Sequence, residues 1–251
     1  MSDVVRAIET SILPQMLTYC FLGLDQSNLK LGKTNNNEDL AVSLILYGYP
    51  NTRALRATWL LEELGLDYQY HYIDLLKAEA RTPEFLEINP AGKLPALRTE
   101  GGIITESLAI LNYLCALKPE AELIPTLSPF RRAQYDQWCA FALTELEQPM
   151  WTISKHKFAL PKEHRVSDVI QTAEYEFKVA LELLSRGLGD NNYILGDQFS
   201  AVDILIGHSL FWGVSFKQKI EQENINAYIG RLGVRPALKT AMEKEKKAAP
   251  K

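Results

Sequence analysis

The most constraining feature of this chain is a strand, a helix and a second strand within about 30 residues. Val42-Ser43-Leu44-Ile45-Leu46-Tyr47 is a nearly continuous apolar run rich in strand formers, the pattern of a strand buried on both faces. Gly48-Tyr49-Pro50-Asn51-Thr52 breaks it. The spacing then predicts a helix from about Arg53 to Leu64. Leu55, Trp59, Leu60 and Leu61 point inward, Arg53, Arg56, Glu62 and Glu63 point outward, and Gly65 sits where a helix ends. Tyr68-Gln69-Tyr70-His71-Tyr72-Ile73 alternates and is β-rich. Two strands joined through a helix pair in parallel with a right-handed crossover.

The pattern continues with a short helix over Pro83–Ile88, stopped by Asn89-Pro90. Leu94–Arg98 and Ile103-Ile104 flank Glu100-Gly101-Gly102, a hairpin signal. A helix follows from Ser107 to about Leu117 and stops at Lys118-Pro119. The order βαβαββα describes a small α/β domain over residues 43–122. Residues 123–130 read as a linker, and beyond it strand signals almost vanish. Helices are expected over Phe130–Thr152, Ser167–Arg186, Ala201–Phe216 and from Pro236 onward, giving an all-α domain over 131–243. Residues 1–42 form an extension in which Val4, Val5, Ile8, Ile12 and Leu13 suit a short amphipathic helix before a polar stretch. Residues 244–251 read as a frayed polar tail.

Composition limits the partners. Thirty-one acidic residues against 27 Lys and Arg leave no basic excess for a nucleic-acid backbone. Three cysteines, Cys20, Cys115 and Cys139, are scattered without C-x-x-C, which disfavours a disulfide framework and suits a reducing compartment. No run reaches the roughly 18 apolar residues of a membrane helix, and the start lacks a basic region. The expectation is a cytoplasmic protein with no membrane partner. His71, His156, His164 and His208 show no metal-ligand spacing, so no metal is expected and each histidine reads as structural.

Three tracts carry chemistry. In Asn89-Pro90-Ala91-Gly92-Lys93-Leu94-Pro95-Ala96-Leu97, a proline at a strand mouth cannot donate to the ladder. It marks either an edge strand with a trans proline or a cis Leu94-Pro95 bond that turns the Leu94 backbone toward an extended peptide. Thr105-Glu106-Ser107 opens a helix. It either caps that helix or offers its N-terminus to a carboxylate, with Glu106 beside it for an ammonium group. In Tyr49-Pro50-Asn51-Thr52-Arg53, the Thr52 hydroxyl either caps or donates to a thiolate. A free thiol titrates near 8.5, and lowering that by two units needs about 2.7 kcal/mol. A charge-assisted hydrogen bond of about 1.5–3 kcal/mol and a helix-end field of about 0.3–1 kcal/mol supply it.

Taken in this order, these tracts resemble the glutathione S-transferase family from about Leu44 to about Ala241. Asn89–Leu97 is similar to the family's N-P-x-G-x-V-P-x-L, and Glu106-Ser107-Leu108-Ala109-Ile110 and Arg56–Gly65 are matches too. The resemblance implies a thioredoxin-like N-terminal domain, an all-helical C-terminal domain and a homodimer. Glutathione is then a co-substrate, attacking a hydrophobic electrophile or a peroxide. It implies that Leu94, before Pro95, binds the cysteinyl backbone, that Glu106 and Ser107 hold the γ-glutamyl end, and that Lys93 approaches the glycyl carboxylate. Gly196–Asp203 is similar to the family's buried capping box, with Ser200 capping and Asp203 reaching back. The activating position departs from the usual Ser, Cys or Tyr: Asn51-Thr52-Arg53 resembles an Asn-Ser-Arg form, which leaves Thr52, Asn51 and Tyr49 as candidates. Tyr49, Tyr135 and Trp138 are candidates for the electrophile pocket, although Tyr135, Trp138, Phe141, Trp151, Trp212 and Phe216 also suit core packing. The same frame suits a non-catalytic interaction module, or a specialised isomerase, dehalogenase or disulfide reductase.

Overall fold

A computed structural model describes residues 44–125 and 128–250. The N-terminal extension, Cys20 and the first residues of the expected opening strand lie outside the described residues. Four strands, β1 (Ile45–Gly48), β2 (Gln69–Tyr72), β3 (Ala96–Thr99) and β4 (Gly102–Thr105), form one sheet in the order β2-β1-β3-β4. β1 is parallel to β2 and antiparallel to β3, and β3 is antiparallel to β4. Between them run α1 (Ala54–Leu64), α2 (Pro83–Ile88) and α3 (Ser107–Leu117). Alternation along β1 assigns the two faces. Leu44 and Leu46 join Leu97, α1 and α3 in the main core. Ile45 and Tyr47 join Ala96 and Phe85 of α2 in a smaller one.

The helical domain contains α4 (Pro129–Phe141), α5 (Glu147–Ser154), α6 (Val169–Leu188), α7 (Ala201–Ser215), α8 (Glu223–Gly233) and α9 (Pro236–Ala248). A widened π turn over Ala142–Leu146 joins α4 to α5. α7 is buried almost throughout and starts as expected: the Ser200 backbone N–H donates to Asp203 Oδ2 at 2.8 Å. α8 was not foreshadowed by its composition. Asn224, Asn226 and Gly230 weaken it, but Ile225, Tyr228, Ile229 and Leu232 bury one helical face and hold it. Among the described residues no helix is long and apolar enough to cross a membrane.

Two expectations are corrected. α1 has no solvent face of the kind its charges suggest. The sheet covers one side and the helical domain the other, so every residue from Ala54 to Leu61 is buried. Arg53 and Arg56 pair with Glu147, Glu63 binds Arg235, and Glu62 binds Lys244 at 2.6 Å. The tail is not frayed over Lys244–Ala248. It completes α9, with Glu245 only 2% exposed against α1. Gly65 meets expectation, with φ 59° closing α1.

Candidate functional site

Strand register brings the three sequence tracts together. Tyr47 lies opposite Ala96, and Ala96 opposite Thr105. The exit of β1, the entry of β3 and the exit of β4 therefore share one end of the sheet. Tyr49–Arg53, Leu94-Pro95 and Glu106-Ser107 converge there.

Each tract is shaped by local bonds. In the β1–α1 turn, Asn51 adopts φ 60°, a left-handed conformation that asparagine tolerates better than most residues. The Thr52 hydroxyl donates to the Tyr49 carbonyl at 2.7 Å and accepts from the Ala54 N–H at 3.2 Å. Thr52 thus braces its own turn, while the half-buried Asn51 side chain makes no hydrogen bond among the described residues. Tyr49 is 5% exposed and packs 5.3 Å from the Tyr72 ring, and burial raises its phenol pKa.

Leu94-Pro95 is a cis peptide bond. The preceding turn is tied by Asn89, whose amide donates to the Lys93 carbonyl at 2.7 Å and accepts from Ala91 N–H at 3.1 Å. Gly92 has φ +58°, and a Cβ there would lie 2.7 Å from the Ala80 carbonyl, so both conformation and space call for glycine. Lys93 is exposed and Leu94 half-buried just ahead of β3. Glu106 has φ 65° and ψ 119°, outside the usual regions for a residue with a side chain, and its carboxylate is exposed. Such strain is common at ligand clamps. Ser107 follows, buried, at the first turn of α3.

Behind this surface lies a charged network that sequence patterning misplaced. Arg56, fully buried, donates to Glu147, to Ser107 Oγ at 3.2 Å, to His208 Nδ1 at 3.1 Å and to Ser209 Oγ at 3.3 Å. Arg53 donates to the other oxygen of Glu147. Burial raises the Glu147 pKa, but Arg56 and Arg53 more than offset it, leaving about 2. Burial, then the Arg56 charge, lowers His208 to about 3, so its ring is neutral. Two guanidiniums on one carboxylate leave a residual positive charge below the β1–α1 turn. The signal was a charge at Arg56 inside an otherwise apolar stretch, and a histidine and serine inside the apolar α7.

The expected pocket residues separate. Tyr135 is fully buried, with its hydroxyl donating to Asn112 of α3 at 2.8 Å. Trp138 packs 5.1 Å from Phe141 and against Gly187 of α6, where a Cβ would come within 2.2 Å of the indole. Both pack the helical core. Trp151 and Trp212 instead flank Arg53, whose guanidinium carbon is 5.0 Å from each ring centroid. Phe216 lies 6.2 Å beyond Trp212. The π turn before α5 shifts its phase, which strict helical spacing does not anticipate. Cys115 and Cys139 are buried free thiols whose pKa values burial pushes up to about 12, so they are not reactive groups. Among the described residues no group of metal-ligating side chains gathers.

The chain is similar in sequence and fold to known proteins. The model of the glutathione S-transferase N-terminal domain matches residues 42–116. A solved glutathione transferase from Methylococcus capsulatus is 30% identical, with a TM-score of 0.72 over 81% of this chain and 99% of that one. The chain belongs to the glutathione S-transferase family. A glutathione transferase homologue from Sulfitobacter, solved with bound glutathione, is 26% identical, with a TM-score of 0.70 over 81% of this chain and 98% of that one. Elongation factor 1-gamma of Prunus avium is 30% identical over 74% of this chain, but the match spans only 39% of that protein.

Proposed function

We propose that this family member is an active glutathione transferase. It binds reduced glutathione at the convergent sheet end and presents the thiolate to a hydrophobic electrophile or a peroxide. The observation that carries the reading is the convergence of Asn51-Thr52, Leu94-Pro95 and Glu106-Ser107 at one end of the sheet through strand register. Leu94 takes the cysteinyl backbone, ahead of the β3 ladder. Ser107 and the free N–H groups of the first turn of α3 take the γ-glutamyl carboxylate. The exposed Glu106 takes the ammonium, and Lys93 approaches the glycyl carboxylate.

Asn51 and Thr52 are the donors to the sulfur. The Asn51 amide makes no hydrogen bond among the described residues, whereas the Thr52 hydroxyl must first turn from the Tyr49 carbonyl. Tyr49 is the poorer candidate because its ring is buried against Tyr72. The second substrate lies against Trp151, Trp212 and Phe216 in place of Tyr135 and Trp138. The proposal includes a homodimer in the cytoplasm that works without a metal, a nucleic acid or a membrane.

The match to elongation factor 1-gamma favours a second reading, an interaction module without turnover. Calorimetry with glutathione and conjugation of a chromogenic aryl halide separate the two. The transferase binds and turns over, and Glu106→Gln or Ser107→Ala weakens binding by about tenfold, one hydrogen bond to a charged group. Binding without turnover of aryl halides or peroxides supports the module. No binding at millimolar glutathione defeats the transferase reading.

A further inference from the structure

His208 belongs to the helical domain, 156 residues from Thr52, yet its Nε2 lies 3.1 Å from the Thr52 carbonyl. A carbonyl only accepts and a guanidinium only donates. Nε2 therefore carries the proton and donates to Thr52, while Nδ1 accepts from Arg56 at 3.1 Å. The two partners fix one tautomer of a ring that is 8% exposed. The same Arg56 reaches Ser107 Oγ at 3.2 Å. One imidazole thus connects the carbonyl of the β1–α1 turn to the guanidinium that orients the start of α3. The Thr52 carbonyl also accepts the Leu55 N–H at 3.1 Å, so this bond locks the first turn of α1 to α7.

We propose that His208 is a positioning residue through which the helical domain sets the sulfur-facing turn Asn51-Thr52 and, by way of Arg56, Ser107. It touches neither glutathione nor the reacting atoms. It acts because a neutral donor and acceptor in a fixed tautomer hold two elements of the other domain at once. The role in thiol activation rests on the transferase reading above; the hold on the turn does not.

The test compares His208→Gln, His208→Asn and His208→Phe in the full chain. The Gln amide nitrogen reaches the place of Nε2, the Asn nitrogen only that of Nδ1, and Phe supplies neither. Hydrogen exchange of the Ala54 and Leu55 amides without ligand should be faster in Asn and Phe, and close to wild type in Gln. Ultraviolet thiolate titration of the glutathione complex should move upward by about one unit in Asn and Phe, roughly tenfold less thiolate below the pKa, with Gln restoring it. If Phe does not fold, the Asn and Gln pair still decides. Exchange and titration alike in Asn, Gln and wild type would overturn the proposal. A wild type that ignores glutathione defeats the transferase reading, while exchange still reports whether His208 holds the turn.

Discussion

Two buried glutamates from the helical domain meet α1 at Arg56 and Thr58, two positions apart on that helix, and they are in opposite states. Glu147 meets Arg56 and Arg53, and its pKa falls to about 2. Glu245 accepts from the Thr58 hydroxyl at 2.7 Å beside Tyr70, with no cation among the described residues to offset its burial, and its pKa rises to about 8. Burial is similar, at 5% and 2% exposure, so the partner decides the charge. Near the site the domains are joined by an ion cluster, and at the far edge by a neutral carboxyl.

This contrast can be broken by one substitution made twice. Glu147→Gln leaves Arg56 buried without its counter-charge, and chemical denaturation should show a loss of about 3–5 kcal/mol. Glu245→Gln at pH 5 replaces a neutral carboxyl with a neutral amide and should change stability by less than about 1 kcal/mol. Equal losses at the two sites would refute the assigned charge states.

The pH dependence sharpens it. Glu245 is raised from 4.5 to about 8 in the folded chain. The folded state holds its proton while the unfolded state releases it, so stability falls between pH 4.5 and 8 at roughly 1.4 kcal/mol per pH unit. Glu147, lowered from 4.5 to about 2, stabilises above pH 4.5, and that contribution is lost as pH falls toward 2. Denaturation midpoints across pH should therefore peak near pH 4.5–5, with the alkaline slope reduced in Glu245→Gln. An unchanged slope in that variant would place the titration elsewhere. A small effect is also expected for Thr58→Ala, about 1 kcal/mol at pH 5 from one hydrogen bond; a loss as large as that of Glu147→Gln would contradict the neutral carboxyl.

Legibility followed the range of the interaction. The strand periods, Gly65 at the end of α1, the Asn89–Pro95 turn and the Ser200–Asp203 cap are set by neighbours in sequence, and all can be read from it. The site tracts were legible because β register gathers them from short loops. Arg56, Glu147 and His208 were not, since Arg56 meets partners 91 and 152 residues away. A helix wheel gives α1 one buried face, and only the second domain supplies the other. Tyr135 and Trp138 suit both a pocket and core packing by spacing alone, and the Tyr135–Asn112 hydrogen bond and the Trp138–Gly187 contact that pack them join residues 23 and 49 positions apart.

The central claim is that the turn after β1 stabilises a thiolate. Ultraviolet titration of glutathione bound to the wild type, Asn51→Ala and Thr52→Ala tests it most directly. The account predicts a bound thiol titrating about two units below its free value near 8.5, rising by about one unit in at least one of the two variants. Bound glutathione that titrates at its free value, or at the wild-type value in both variants, would contradict it.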